Sequence, residues 1–424
     1  MGLLKAPRKG ATVSLEEKSI AVLGGWEGYR IGTAERLEAD ATRRRAEVWI
    51  ELHPIPNVGM ACSGCGTVAD RVHDITPRWI RDLPLLGADT RLLVWRRRVA
   101  CASCGPKLEA LSWLDPYSRV TVRLANSVVR LAAVLPIKHV AEFFGLGWDA
   151  VKAIDKAALE RQLGPPDLTN VQVIGIDEFS LHKRHRFATV VVDPLTKRVL
   201  WVGRGRTKED LRPFFALLGP EGCQRLRAAV MDMNPVYEFE IRRHCPNAEI
   251  VFDLFHVVAK YGRDVIDRVR VDQANVLRKD KQARQVIKGS RWLLLRSRAN
   301  LPRGDERVKL SELLAANKPL MTAYVLRDDL RHLWDFRASW AAQRAWADWY
   351  GRAMRSRIKP LVRFALKLKA RVDGILAHCR WPLHTSLLEG INNRIKVMKR
   401  MAYGFRDHDY FFLKIRAAFP GIAG

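Results

Sequence analysis

Acidic side chains are scarce in this chain: 45 Asp and Glu stand against 73 Lys and Arg, a formal charge of +28 over 424 residues. Such an excess argues against an uncharged partner and for a polyanionic one, through steering and counterion release. Long hydrophobic runs are missing too. The chain has no stretch of about 18 or more apolar residues, no signal peptide and no lipidation motif, which disfavours a membrane as the polyanion. Nucleic acid, met in the cytoplasm, is the expectation. Cysteines are few and odd in number, seven in all, a pattern that suits a reducing compartment with a metal site better than a disulfide framework. Internal repeats and low-complexity tracts are absent. The length suggests two to four domains, and the 48% hydrophobic content is enough to build real cores.

Four of the cysteines form two pairs, Cys62-x-x-Cys65 and Cys101-x-x-Cys104, each followed by a glycine (Gly66, Gly105). Two thiolates on each of two tight turns make a closed tetrahedral set for structural Zn²⁺. His73 is an alternative ligand, and a β-hairpin with a turn at Gly87 fills the interval. Arg96, Arg97 and Arg98 close that hairpin and are expected on DNA. Cys223, Cys245 and Cys379 read as buried apolar side chains.

Residues 125–162 read as helix, break, helix, turn, helix. Pro136 ends the first, residues 137–144 form a short second, "GLG" turns, and Trp148 opens a third with Val151, Ile154 and Ala158 inward. This is the spacing of a helix-turn-helix whose last helix enters the major groove, with Lys152 and Lys156 on its outer face.

Between 171 and 255, short apolar strands alternate with helical stretches in the order strand, strand, strand, helix, strand, helix, strand. That order fits the mixed sheet of the ribonuclease-H-like fold, in which the first strand lies parallel to the fourth. Asp177 ("GIDEF") and Asp232 ("MDM") would then stand side by side, a costly pairing without a cation between them. A third acid completes a two-metal centre for in-line phosphoryl displacement with Mg²⁺ or Mn²⁺. Glu389, alone among the cations of "TSLLEGINNRIKVMKRMAYGFR", is the candidate. It has no Lys or Arg at +3 or +4 to pair with, and Asn392 and Asn393 stand there instead. Asn393, Arg394, Lys396, Lys399 and Arg400 would hold a DNA strand against the metals. Asp193 reads as a turn residue, Asp253 as a substitute for Asp232, Glu178 as facing away, and His256 as a structural contact.

"GIDEF", "MDM", "VFDLFHV" and "LEGINNRIK…AYGFR", behind a CxxC pair and a helix-turn-helix, together resemble bacterial insertion-sequence transposases of the DDE type, most nearly the ISL-three group. The resemblance spans nearly the whole chain. It implies a multidomain α+β protein: a β-rich zinc-ribbon domain over 1–118, a helix-turn-helix over 119–165, and an RNase H-like catalytic core over 166–255 and 383–424, interrupted by an all-helical insertion over 256–382. It also implies a nucleoid-associated enzyme that binds double-stranded DNA (terminal inverted repeats and target), cleaves and transfers strands through Asp177, Asp232 and Glu389, and acts as a homodimer or larger assembly. Two other readings are a zinc-ribbon/helix-turn-helix regulator without chemistry, and a nuclease of the same fold that does not join strands. Within the helical region, Trp292 is expected either in a core or stacked on an unstacked base.

Overall fold

The computed structural model describes residues 24–41, 43–182, 186–296, 300–301, 304–383 and 386–422. The chain forms two compact units. One runs to Gln162 and includes Met401–Gly404; the other comprises Leu163–Arg400 and the residues from Phe405 on.

The first unit begins β-rich. Strands β1 (Tyr29–Leu37), β2 (Glu47–Pro54), β3 (Met60–Ala61), β4 (Val68–Ala69), β5 (Val72–Leu85), β6 (Ala88–Cys101) and β7 (Gly105–Leu108) form a sheet of order β1-β2-β6-β5, with β7 paired to β6 and a small β3-β4 ribbon. The expected hairpin is β5–β6. It turns through Leu86 and Gly87, both at positive φ (48° and 79°), which only the glycine tolerates freely. Alternation buries Ile50, Leu52, Leu92 and Val94 on one face, with Leu114 closing the core.

Helices Val122–Ala132, Ile137–Phe144 and Trp148–Leu163 follow, at the positions read from the pattern. Thr121 caps the first by accepting from the Leu124 amide. Gly145 ends the second in the left-handed region. The third buries Val151, Asp155 and Leu159; Ile154 and Ala158 are only half-buried, so its inner stripe is rotated from the one expected. The helices are tied to the sheet by Asp82, which accepts from Trp26 Nε1 (3.0 Å), Thr121 Oγ1 (2.6 Å) and Arg123 Nε (2.7 Å).

In the second unit, β8 (Val173–His182), β9 (Arg186–Asp193), β10 (Arg198–Arg204), β11 (Ala228–Met231) and β12 (Glu249–Phe252) form a sheet of order β10-β9-β8-β11-β12. β9 runs antiparallel to β8 and β10, whereas β8, β11 and β12 are parallel. The fourth strand therefore lies parallel beside the first, as the pattern required. One face of the sheet (Ile174, Ile176, Val191, Ala229, Met231) joins the larger core with helices Lys208–Arg225, Pro235–His244 and the helical region. The other face (Val173, Val190, Val192, Val230, Val251) packs on Leu388, Ile391, Ile395, Phe411 and Ile415 of helices Ser386–Met401 and His408–Ala418. Helix Lys208–Arg225 continues past a break at Gly219 (φ 72°).

From Leu254 to Cys379 the described residues are almost wholly helical. A single π turn, Gly262–Ile266, interrupts the first long helix. Trp346 and Trp349 are buried and stacked (centroids 5.2 Å apart), and Trp349 Nε1 donates to the Leu326 carbonyl. Trp292 departs from the core reading, being 67% exposed.

Candidate catalytic carboxylates and nucleic-acid interface

Strand alternation and register decide where the acids go. Ile176 of β8 pairs with Met231 of β11, and Met231 with Phe252 of β12. The next residue on each chain is an aspartate: Asp177, Asp232 and Asp253. Parity puts all three on the sheet face covered by helix Ser386–Met401. β8 does not end at Asp177. It continues to His182 against β9 alone, so Asp177 stands where its parallel partner stops, at the carboxyl edge where open α/β sheets place their ligands.

Asp177 is 9% exposed. Its Oδ1 accepts from the Glu178 amide (2.8 Å) and its Oδ2 from Asn392 Nδ2 (2.6 Å). Burial pushes its carboxyl up to about 6, with the negative charges of Asp232 and Asp253 adding to the rise and His256 opposing it. Burial likewise raises Asp232, and Asp232 Oδ1 is buried without a hydrogen-bond partner among the described residues. Two buried carboxylates that resist ionisation, one with an oxygen unpartnered among the described residues, would be stabilised by positive charge beyond what His256 supplies. The site therefore fits a divalent cation.

Asp253 caps the next helix through the Phe255 amide (2.8 Å) and meets His256 Nδ1 at 2.9 Å. The hydrogen bond to Asp253 raises the His256 pKa, with the charges of Asp177 and Asp232 adding to it. Asp253 is thus occupied structurally. Glu178, on the opposite face, is held by Arg206 (2.9 Å) and Tyr237 Oη (3.2 Å). Asp193 accepts from Leu195, Thr196 and the Thr196 hydroxyl in its turn.

Glu389 lies in the first turn of helix Ser386–Met401, exposed and without a hydrogen bond or ion pair among the described residues. The helix lies close on the sheet because Gly175 leaves room: a Cβ there would come within 3.0 Å of both Leu388 and Val192. Among the described residues, only Cys62, Cys65, Cys101 and Cys104 form a group of three or more potential metal ligands with donor atoms within 4.8 Å of one another. Asp177, Asp232 and Glu389 are not drawn that close. Asn392, at +3 from Glu389, is buried and engaged with Asp177. Only its +3 spacing from a lone acid hinted at a role.

The cations on this helix differ in use. Asn393, Arg394, Lys396 and Arg400 are exposed. Lys396 reaches Asn393 Oδ1 (3.3 Å), and Arg394 lies over Phe419. Lys399 instead donates to the carbonyls of Ser180 (2.8 Å) and Leu181 (3.3 Å), pinning the helix to β8. That corrects its expected place on DNA.

In the first unit, Arg96 and Arg97 also depart from expectation. They are 3% and 4% exposed. Arg97 makes a two-pronged pair with Glu109, and Arg96 donates to the Glu109 carbonyl (3.0 Å). Neither offers a free guanidinium to a phosphate. Arg98 is half-exposed and paired with Asp74. Lys152 and Lys156 are half-buried on the third helix, with Lys152 Nζ 5.7 Å from the Trp148 ring.

The four Sγ atoms of Cys62, Cys65, Cys101 and Cys104 lie within 4.8 Å of one another, as tetrahedral zinc with bonds of about 2.3 Å requires. The Gly64 amide donates to Cys62 Sγ (3.4 Å). The Thr67 hydroxyl holds the Cys65 thiol down to about 6, while sharing hydrogen bonds with Cys65 pushes Cys104 up to about 12. Four thiols this close do not all ionise without a cation, so the set fits structural zinc. His73 is not among them; it pairs with Asp74.

Comparison with known proteins gives three family matches: a transposase domain of the ISL3 DDE type over residues 174–415, a helix-turn-helix domain of transposase family ISL3 over 109–159, and the zinc-finger of transposases IS204/IS1001/IS1096/IS1165 over 59–104. The transposase for insertion sequence element IS1001 of Bordetella parapertussis is 53% identical over 411 residues, covering 96% of this chain and 100% of the relative. The transposase for insertion sequence element IS1557 of Mycobacterium tuberculosis is 28% identical over 397 residues, covering 87% of this chain and 88% of the relative.

Proposed function

The chain belongs to the ISL3 family of transposases, and from that premise we propose that it binds the terminal inverted repeats of its own insertion sequence, cleaves DNA strands there and transfers the freed ends. The observation that carries the chemistry is the register that sets Asp177 beside Asp232, with Asp232 Oδ1 unpartnered among the described residues. The strand order β10-β9-β8-β11-β12 supports an RNase H-like core over 166–255 and 383–424, with the helices of 256–382 as an insertion.

Asp177, Asp232 and Glu389 would hold the catalytic Mg²⁺ or Mn²⁺. Bound there, a pair of such ions supplies charge neutralisation for the attacking and leaving oxygens of the phosphodiester. Asn392 orients Asp177 and, as a neutral donor, favours its charged form. His256 balances the negative charge of the aspartate row. Arg394, Lys396 and Arg400, on the helix that carries Glu389, bind the phosphates of the strand to be cut. The helix Trp148–Leu163 reads the terminal repeat, and the zinc cluster fixes the β-ribbon. Two element ends must be joined, so a homodimer or larger assembly is the working form.

The test is a cleavage and strand-transfer assay on labelled DNA carrying the repeat that flanks the gene, with Mg²⁺ or Mn²⁺. Metal-dependent cuts at the element end, lost in Asp232→Ala and Glu389→Gln, are expected. Cleavage by Asp232→Ala at the wild-type rate would overturn the assignment. Cuts without joined products would favour a nuclease, and specific binding without cuts a regulator.

A further inference from the structure

A groove of about 660 Å³ opens in the first unit between the β-sheet and the helix-turn-helix. Its wall carries six cations against three acids: Arg43, Arg44, Arg45, Arg81, Arg91 and Lys138 with Glu47, Asp89 and Glu142. The cations fall into three pairs. Arg45 donates to the carbonyls of Glu142 and Phe143, and Arg81 to those of Phe144 and Gly145. Both thereby hold the carboxyl end of helix Ile137–Phe144, where the helix dipole favours a cation. Asp89 lies beneath: it pairs with Arg81 (3.3 Å), and a Cβ on Gly145 would come 2.6 Å from its Oδ2. This clamp fixes the groove against the helix-turn-helix. Arg43 and Arg91 are paired with Asp40 and Glu47.

Arg44 and Lys138 remain. Arg44, in the turn between β1 and β2, is exposed and makes no ion pair or hydrogen bond among the described residues. Lys138 is highly exposed, with Glu142 3.9 Å away. Trp148, the first residue of the third helix, lies on the same groove and is half-exposed. A recognition helix meets base edges with its amino-terminal residues, and the flanking strands then run past on either side.

We propose that this groove grips the phosphate backbone of DNA beside the site met by helix Trp148–Leu163, with Arg44 and Lys138 as the phosphate contacts and Arg45, Arg81 and Asp89 as the clamp that sets their position. The inference rests on the helix-turn-helix being the DNA-reading element. It makes the β-sheet part of the same reading head, through a surface separate from the cysteine cluster.

The test uses the full chain and two labelled duplexes, one carrying the element end and one of random sequence, titrated over a salt series. Arg44→Ala combined with Lys138→Ala should weaken binding to both duplexes by roughly ten- to thirty-fold and lower the log–log salt slope by about 2, since each phosphate contact contributes about 0.9. The charge-keeping pair Arg44→Lys with Lys138→Arg should bind as wild type, which separates charge from any loss of fold. Unchanged affinity and slope on both duplexes overturns the groove. Weakening on the element end alone also overturns it, since phosphate contacts carry no sequence. If the wild type shows no preference for the element end, the terminal-repeat reading fails, while the random duplex still decides the groove.

Discussion

Asn392 donates its side-chain amide to Asp177 Oδ2 at 2.6 Å, joining residues 215 positions apart. The bond links the helix that carries Glu389 to the strand that carries the first aspartate. Asn392 is buried, and its own Oδ1 has no partner among the described residues, so its orientation serves Asp177. Asn392→Ala should lower cleavage by about a hundred-fold, the size of effect that misplacing a catalytic group can produce. Removing a donor to a carboxylate also disfavours its charged form, so the acid limb of the pH–rate profile should move to higher pH. A drop in rate with no shift of that limb would mean that Asn392 acts through packing only.

The aspartates were legible because each follows a short apolar run, and strand order alone brings those runs side by side; that β8 continues past Asp177 to His182 was not read from the pattern. The cations were not equally legible. A triplet of arginines closing a strand reads as solvent-facing, yet Arg96 and Arg97 turn inward because Glu109, beyond β7, supplies a buried counter-charge. Lys399 looks like its neighbours Lys396 and Arg400 until the carbonyls of Ser180 and Leu181 are seen beneath it. Trp292, left open between a core and an unstacked base, is 67% exposed and not covered by a core. What escaped the pattern in each case is a long-range partner.

Burial makes the ionised Asp177 a cost to the metal-free fold. Its carboxyl stands at about 6 in the folded state against an ordinary value of 3.8. Between those values the folded chain binds more protons than the unfolded one, so stability falls as pH rises through the window and stays lower above it. Asp177→Asn should therefore raise the unfolding free energy of the metal-free protein above pH 7, by up to about 3 kcal/mol, while abolishing cleavage. At pH 4 the gain should vanish. Thermal unfolding in chelator at both pH values checks this, and a gain of equal size at pH 4 would assign it to packing instead.

Arg97 and Glu109 form a buried pair, so breaking it from one side should be severe. Arg97→Met strands a buried carboxylate and should cost about 3–5 kcal/mol, while adding Glu109→Met should restore much of the loss. DNA affinity of the folded single mutant should keep its wild-type salt slope, because Arg97 touches no phosphate. A lowered slope with an unchanged melting temperature would return Arg97 to the interface.

Gly175 gives the most direct test of how the third acid is positioned. It lies on the face of β8 that meets helix Ser386–Met401, two residues before Asp177, and a Cβ there would sit 3.0 Å from Leu388 and from Val192. Val192 is fixed in β9, paired opposite Gly175, so the helix is the part that yields. Leu388 adjoins Glu389, and Lys399 pins the far end of the same helix. Gly175→Ala should therefore tilt the amino-terminal turn away from the sheet and move Glu389 and Asn392 relative to Asp177. Overpacking of this kind costs about 1–3 kcal/mol, which should leave the chain folded and still able to bind DNA through its first unit. Cleavage should fall by at least about ten-fold, as expected when a catalytic group is displaced by a fraction of an ångström or more. Full cleavage in Gly175→Ala, with the same modest loss of stability, would show that the place of Glu389 does not depend on this contact, and would remove the main structural reason for setting that residue beside the aspartates.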